Sequence, residues 1–245
     1  MRCAPLFPAL AAVATISPAA AQSVDVDASL EIASDLRERG LSDSGGRATA
    51  TAAAGLQLGG LRADARVATL RESARHGGAD LGITAELSYR VEQGGWTFDA
   101  GGAARLFDGA EGKADYGELF ATAAYLIGPA ELSAAAFYAP DQSAIGGDNL
   151  YLRARARASL PGTPWSLTGH VGHSSGATDD PVRAARLRPG GSYTDWSLGA
   201  EWTLGTFGAG LTYSDTDIDH ARVVSPLADA RNSGARLTAS ARIFF

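Results

Sequence analysis

The segment Asn149–Leu160 reads NLYLRARARASL, and its alternation decides the fold. Leu150, Leu152, Ala154, Ala156, Ala158 and Leu160 share one parity; Tyr151, Arg153, Arg155, Arg157 and Ser159 share the other. Successive side chains of a strand point to opposite faces, so these residues make one apolar and one basic face. Wound as a helix, residues two apart would lie about 200° from each other, and the three arginines would scatter around the axis. Ala, Leu and Arg favour helix by propensity, so periodicity outweighs propensity here. Val24–Leu36 repeats the pattern with opposite charge: Val24, Val26, Ala28, Leu30, Ile32 and Leu36 alternate with Asp25, Asp27, Glu31 and Asp35.

Ten further segments alternate in the same way, near 47–58, 61–70, 79–91, 96–107, 116–127, 130–138, 164–174, 193–204, 207–217 and 234–245. Their connections alternate in length. Gly59-Gly60, Glu92–Gly95, Gly128-Pro129, Pro161–Pro164 and Gly205-Thr206 are tight, whereas 37–46, 71–78, 108–115, 139–148, 175–192 and 218–233 are longer and polar. About twelve strands joined this way predict an all-β, transmembrane, antiparallel up-and-down β-barrel with short periplasmic turns and longer extracellular loops.

A soluble sandwich would alternate identically with inside and outside exchanged. Two features favour lipid on the apolar side. That side is mostly Ala, Leu and Gly, too small and uniform to interdigitate as a dense core. Its large aromatics also sit at strand ends. Tyr89, Trp96, Tyr125, Trp165, Trp202 and Phe207 flank the short turns, and Tyr138, Trp196 and Tyr213 flank the long loops. Two such bands predict interfacial girdles.

Composition and termini agree with export. The chain has 45% hydrophobic and 20% charged residues, with 30 Gly against 10 Pro, which excludes collagen-like and strongly disordered classes. With 21 Lys and Arg against 27 Asp and Glu, the net charge of −6 carries no signal of nucleic-acid binding. Residues 1–21 read as a signal peptide: Arg2, the apolar run Ala9–Ile16, then Ala19-Ala20-Ala21, with cleavage expected before Gln22 and the barrel over 22–245. Cys3, the sole cysteine, leaves with it, so no disulfide or Cys-based metal site is expected in the mature chain. No later stretch approaches 18 uninterrupted apolar residues, so no transmembrane helix is expected. The last strand alternates Leu237, Ala239, Ala241, Ile243 and Phe245 with Arg236, Thr238, Ser240 and Arg242. Such an aromatic-terminated strand is the expected handle for the outer-membrane assembly machinery.

Four stretches resemble the TorF family of Gram-negative porins: Ala33–Ser42 (ASDLRERGLS), Asp115–Phe120 (DYGELF), Thr194–Gly199 (TDWSLG) and Leu211–Ile218 (LTYSDTDI). The likeness runs in order along nearly the whole mature chain. It departs in the first strand, where Leu36 and Glu38 stand where that family more often carries aromatics. The resemblance implies an outer-membrane barrel with a pore, and it supplies no catalytic residues.

With the apolar face outward, the other face lines a lumen. Arg62, Arg66, Glu86, Arg90, Asp99, Arg105, Glu118, Arg153, Arg155 and Arg157 are the candidate pore-lining residues. Enclosed charges of both signs must be paired or hydrated, which leaves two readings. One is a water-filled path with selective wall charges; the other is an ion-paired plug in a structural or adhesive barrel acting through its loops. Inward-facing Gly82, Gly101, Gly199, Gly208 and Gly210 leave room, and the Arg153, Arg155, Arg157 ladder suits anions. The expectation is a porin-like channel for passive diffusion of small hydrophilic solutes, with no cofactor, no metal site and no catalytic residues. Its partners would be lipid and lipopolysaccharide. Asp215, Asp217 and Asp219 imitate the opening of a calcium loop, but His220 and Pro226 occupy the glycine and bidentate glutamate positions. His170 and His173 beside Ser174 diverge by parity, so no nucleophile, base and orienting group are seen to converge. The run Ser174–Gly191, with Arg183, Arg186 and Arg188, reads as a solvated loop, able to bind lipopolysaccharide phosphates or to fold inward.

Overall fold

The computed structural model describes residues 24–245, and the expected signal peptide lies outside them. In chain order the strands are β1 (Val24–Ala33), β2 (Arg37–Glu38), β3 (Leu41–Ser42), β4 (Thr49–Leu58), β5 (Leu61–Ser73), β6 (Ala79–Gln93), β7 (Trp96–Asp108) and β8 (Tyr116–Ile127). They continue with β9 (Ala130–Gln142), β10 (Gly147–Ser159), β11 (Trp165–Ser175), β12 (Tyr193–Leu204), β13 (Phe207–Thr216) and β14 (Arg236–Phe244). All but β2 and β3 close into a twelve-stranded antiparallel barrel in which each strand pairs with its sequence neighbours. β1 pairs with β4 along its whole length but meets β14 only through Ser29–Ala33.

Cross-strand register keeps the two faces separate. Arg155 lies opposite His170 inside, and Trp165 lies opposite Trp202 outside. The distribution of polarity is inverted relative to a soluble fold. Ile32, Leu119 and Leu198 are 62–66% exposed on the outer wall, whereas Asp195 is fully buried inside. A contiguous apolar surface of this extent is stable only against acyl chains. Trp96 packs on Tyr125 at the turn end, with ring centroids 4.7 Å apart. Trp196 packs on Tyr213 at the loop end, at 5.3 Å. These pairs belong to the two girdles, where an amphipathic ring satisfies both lipid and headgroup.

The structure differs from expectation mainly at the loop end. β9 and β10 run on until only Ser143–Gly146 separates them, so the long loop expected over 139–148 is a tight turn. Alternation fades there because both faces of the wall leave the apolar layer, while the backbone ladder continues. β1 stops at Ala33 rather than Leu36, because Asp35 turns back to accept the Ser42 and Ser44 hydroxyls at 2.5 and 2.9 Å. The stretch expected as a loop over 37–46 contains the β2–β3 hairpin. Its two central residues, Arg39 and Gly40, have φ of 53° and 73°, as a two-residue primed turn requires.

The run expected as a solvated loop over 174–191 is likewise folded in. It carries α1 (Pro181–Ala184), capped by the Asp180 carboxylate, and then buries Arg186, Leu187 and Arg188. Leu187 joins Tyr116, Ala139, Ala144 and Ile145 in an apolar cluster, and Leu41 joins Tyr193 and Ile218 in another. The protein's dry core therefore sits at the loop end of the lumen.

Candidate functional site

The lumen has two parts, and the β2–β3 hairpin divides them. Glu38 on the hairpin faces Arg105 on β7 at 2.8 Å and Arg66 on β5 at 3.3 Å. Arg39, at the hairpin tip, donates to the buried Glu118 carboxylate of β8 at 2.6 Å, and Arg105 donates to the same carboxylate at 2.8 Å. Tyr193 of β12 donates to the Arg39 carbonyl at 2.8 Å. Close packing explains Gly40: a Cβ there would sit 2.7 Å from the Asp195 Cβ. Arg37 ties the hairpin to the last loop, donating to the Asn232 and Gly234 carbonyls at 3.1 and 2.9 Å. Burial pushes the Glu38 carboxyl up, but Arg105, Arg66 and Arg39 together outweigh it and hold the group well below the carboxylate range.

A second layer caps the hairpin. Asp43 pairs with Arg75 and with His76, the latter at 2.9 Å, and His76 stacks on Phe107 at 4.3 Å. Arg186 threads the cap, donating to the carbonyls of Ala144, Arg75 and Ala114 at 2.7–3.0 Å. Burial pulls its guanidinium down to about 10, helped by the neighbouring Arg75 cation and only partly offset by Tyr116, Asp43 and Asp115. Burial also pushes His76 down, outweighing the Asp43 carboxylate beside it.

Below the hairpin the lumen widens to a cavity of ≈ 670 Å³, lined among others by Asp27, Asp64, Arg66, Glu86, Arg90, Asp99, Phe120, Phe137, Arg153 and His170. Arg90 bridges to Asp99 at 2.9 Å, Arg62 spans Asp27 and Asp64 at 3.0 and 2.6 Å, and Arg157 meets Glu201 at 3.0 Å. Arg153 and Arg155 have no carboxylate within 4.0 Å, nor Glu86 a cation, among the described residues.

All ten sequence-derived candidates carry lumen parity, but they separate by depth. Arg66, Glu86, Arg90, Asp99 and Arg153 face the cavity, and Arg62, Arg155 and Arg157 lie toward its turn-end mouth. Glu118 is sealed behind the hairpin, with Arg105 at its edge bridging the two layers. Among the inward glycines, Gly101 answers to backbone rather than to space: a Cβ there would lie 2.2 Å from the Leu87 carbonyl oxygen.

Residue reasoning missed the inward aromatics Phe107, Phe120 and Phe137, whose parity with Arg105, Glu118 and Glu131 could have found them. It also missed a convergence of acid, base and hydroxyl. The Ser197 hydroxyl lies 2.7 Å from His170 Nδ1, and His170 Nε2 lies 2.8 Å from the buried Asp195 carboxylate, which also accepts from the Tyr151 hydroxyl at 3.2 Å. The trio comes from β11 and its partner β12, not from Ser174 and His173. The stretch lies within the paired β11–β12 register, His170 opposite Ser197. These hydrogen bonds tie β11 to β12 and to Tyr151. The acidic run is likewise spent locally: Asp215, Asp217 and Asp219 accept the N–H groups of Thr216, Thr194 and Ala221.

Comparison with known proteins agrees on architecture. The chain is similar in structure to the KdgM porin, with a TM-score of 0.54 and 8% identity over 90% of this chain and 98% of that one. A membrane protein from work on in-meso crystallisation gives 0.54 and 9% identity over 89% and 83%. A loop-deleted OmpT of Vibrio cholerae gives 0.45 and 14% over 92% and 100%. No curated protein is similar to it in sequence. The barrel is thus porin-like in fold. A family model matches residues 17–240, and the chain belongs to Gcw_chp, a family of bacterial proteins of unknown function.

Proposed function

We propose that this chain is an outer-membrane channel through which small hydrophilic solutes, anions above cations, diffuse passively. The observation that carries the reading is the ≈ 670 Å³ cavity with Arg153 on its wall and Arg155 toward its mouth, guanidinium groups with no carboxylate within 4.0 Å among the described residues. Their charge favours anions entering from the turn end, which this reading makes periplasmic. It takes the chain to be exported through residues 1–21, assembled through the strand ending at Phe245, and seated in lipid and lipopolysaccharide. It also takes the TorF porins as relatives. Transport of this kind calls on hydrated wall charges alone.

A second reading, a closed barrel acting through its loops, draws on the buried Arg39–Glu118–Arg105–Glu38 network that fills the loop end. Planar bilayers separate the two. The purified, heat-modifiable barrel should conduct in discrete steps with a reversal potential on the anion-selective side. A folded barrel that never conducts would eliminate the channel.

A further inference from the structure

Phe120, Phe137 and Tyr151 lie on three adjacent strands, β8, β9 and β10, in direct cross-strand register on the lumen side. Their ring centroids are 6.2 and 6.1 Å apart, so they form a continuous aromatic strip. Tyr151 is buried, lying across Gly172, where a Cβ would sit 2.1 Å from its hydroxyl. Phe120 and Phe137 are half-buried and border the cavity. Arg39 of the hairpin holds its guanidinium over Phe137 and Tyr151, 5.4 and 4.8 Å from their centroids, which leaves Phe120 and the free edge of Phe137 as apolar area on the cavity, at about 25 cal/mol per Å². A wall that served hydration alone would place polar side chains there.

Beside the rings stands an oriented, unneutralised cation. Arg153 holds its guanidinium 5.4 Å from the Phe137 centroid, and it has no carboxylate partner among the described residues. Arg155 follows one pleat nearer the mouth, about 7 Å away at the strand's rise. Glu86 faces the same cavity from β6 without a cation of its own, and it would repel an anion toward the β10 wall. The cavity volume falls within the usual range for small-molecule sites.

We propose that this strip and Arg153 form a binding site for a compact arene carboxylate, its ring on Phe120 and Phe137 and its carboxylate on Arg153. The proposal deepens the channel reading and rests on solutes reaching the cavity. A flat ring meets the phenyl rings through offset or edge contacts. The guanidinium supplies a planar pair of donors matched to a carboxylate.

Calorimetric titration of the full barrel in detergent at low salt tests it, with benzoate as probe. Acetate carries the charge without the ring, benzyl alcohol the ring without the charge, and cyclohexanecarboxylate the charge with a saturated ring. Benzoate should bind at least about tenfold more tightly than any of the three. Arg153→Gln should abolish that preference over benzyl alcohol. Phe120→Leu, which leaves the Arg39 contacts untouched, should narrow the gap between benzoate and cyclohexanecarboxylate. Benzoate binding no more tightly than acetate, in a barrel that remains heat-modifiable, would overturn the site. Because binding is read at equilibrium, a barrel that conducts without binding benzoate loses the site alone, and one that binds benzoate without conducting loses the channel alone.

Discussion

The loop half and the turn half of the lumen carry the same kinds of side chain but use them differently. In the loop half, Glu118 is fully enclosed and takes one hydrogen bond from Arg39 and another from Arg105, and the buried Arg186 guanidinium is satisfied by carbonyls. In the turn half, Arg153 on the cavity wall and Arg155 toward its mouth have no carboxylate within 4.0 Å among the described residues, although Asp27, Asp64, Glu86 and Asp99 share the cavity. Charge removed from water must be paired, whereas charge left in water need not be. The same alternating sequence pattern therefore yields a rigid plug at one level and a field-bearing wall at the other. The hairpin at Arg37–Ser42 draws the boundary.

Substitutions can break that contrast in order of expected effect. Glu118→Ala takes the short-range carboxylate from enclosed Arg39, leaves Arg105 with Glu38 alone, and should cost about 3–5 kcal/mol of local stability, read as a lower temperature for loss of heat-modifiable mobility. An unchanged transition would mean that the plug is wet. Replacing Arg153, Arg155 and Arg157 by Glu should leave folding intact and move the reversal potential toward cation selectivity. An unchanged preference would remove the ladder from the account. Arg155→Gln alone should change stability by no more than about 0.5 kcal/mol, as at an ordinary hydrated position.

Acidification acts between these extremes. The docked His76 is held below its ordinary value, so the released cap binds more protons than the docked one. The stability His76 contributes is then lost as pH falls below about 6.5. The mechanism is local: a proton on Nδ1, which faces Arg186 at 3.4 Å, would set a third cation beside Arg75 and Arg186. Glu38 and Asp43 are held low instead, so their contribution persists until pH falls through and below the carboxylate range. Conductance should therefore rise between pH 7.5 and 5, and His76→Gln should flatten that rise.

The wall of the barrel was legible because period two is written residue by residue, from Val24 to the last strand. Strand number, parity and girdles all follow from it. The interior of the loop half was not legible, because its order comes from contacts distant in sequence. Nothing near Arg39 announces Glu118, and nothing near Arg186 announces the carbonyls of Arg75 and Ala114. The Arg39-Gly40 pair did carry a local turn signal, obscured by the polar composition around it. Ser197 and Asp195 met His170 through the register of two paired strands, which parity alone does not supply.

Single-channel conductance of the intact barrel against a variant whose residues 37–42 are replaced by a short Gly-Ser link probes the division of labour most directly. The account predicts several-fold larger steps in the variant with ion preference retained, since the Arg153–Arg157 wall is untouched. Equal conductance in two equally heat-modifiable barrels would contradict it.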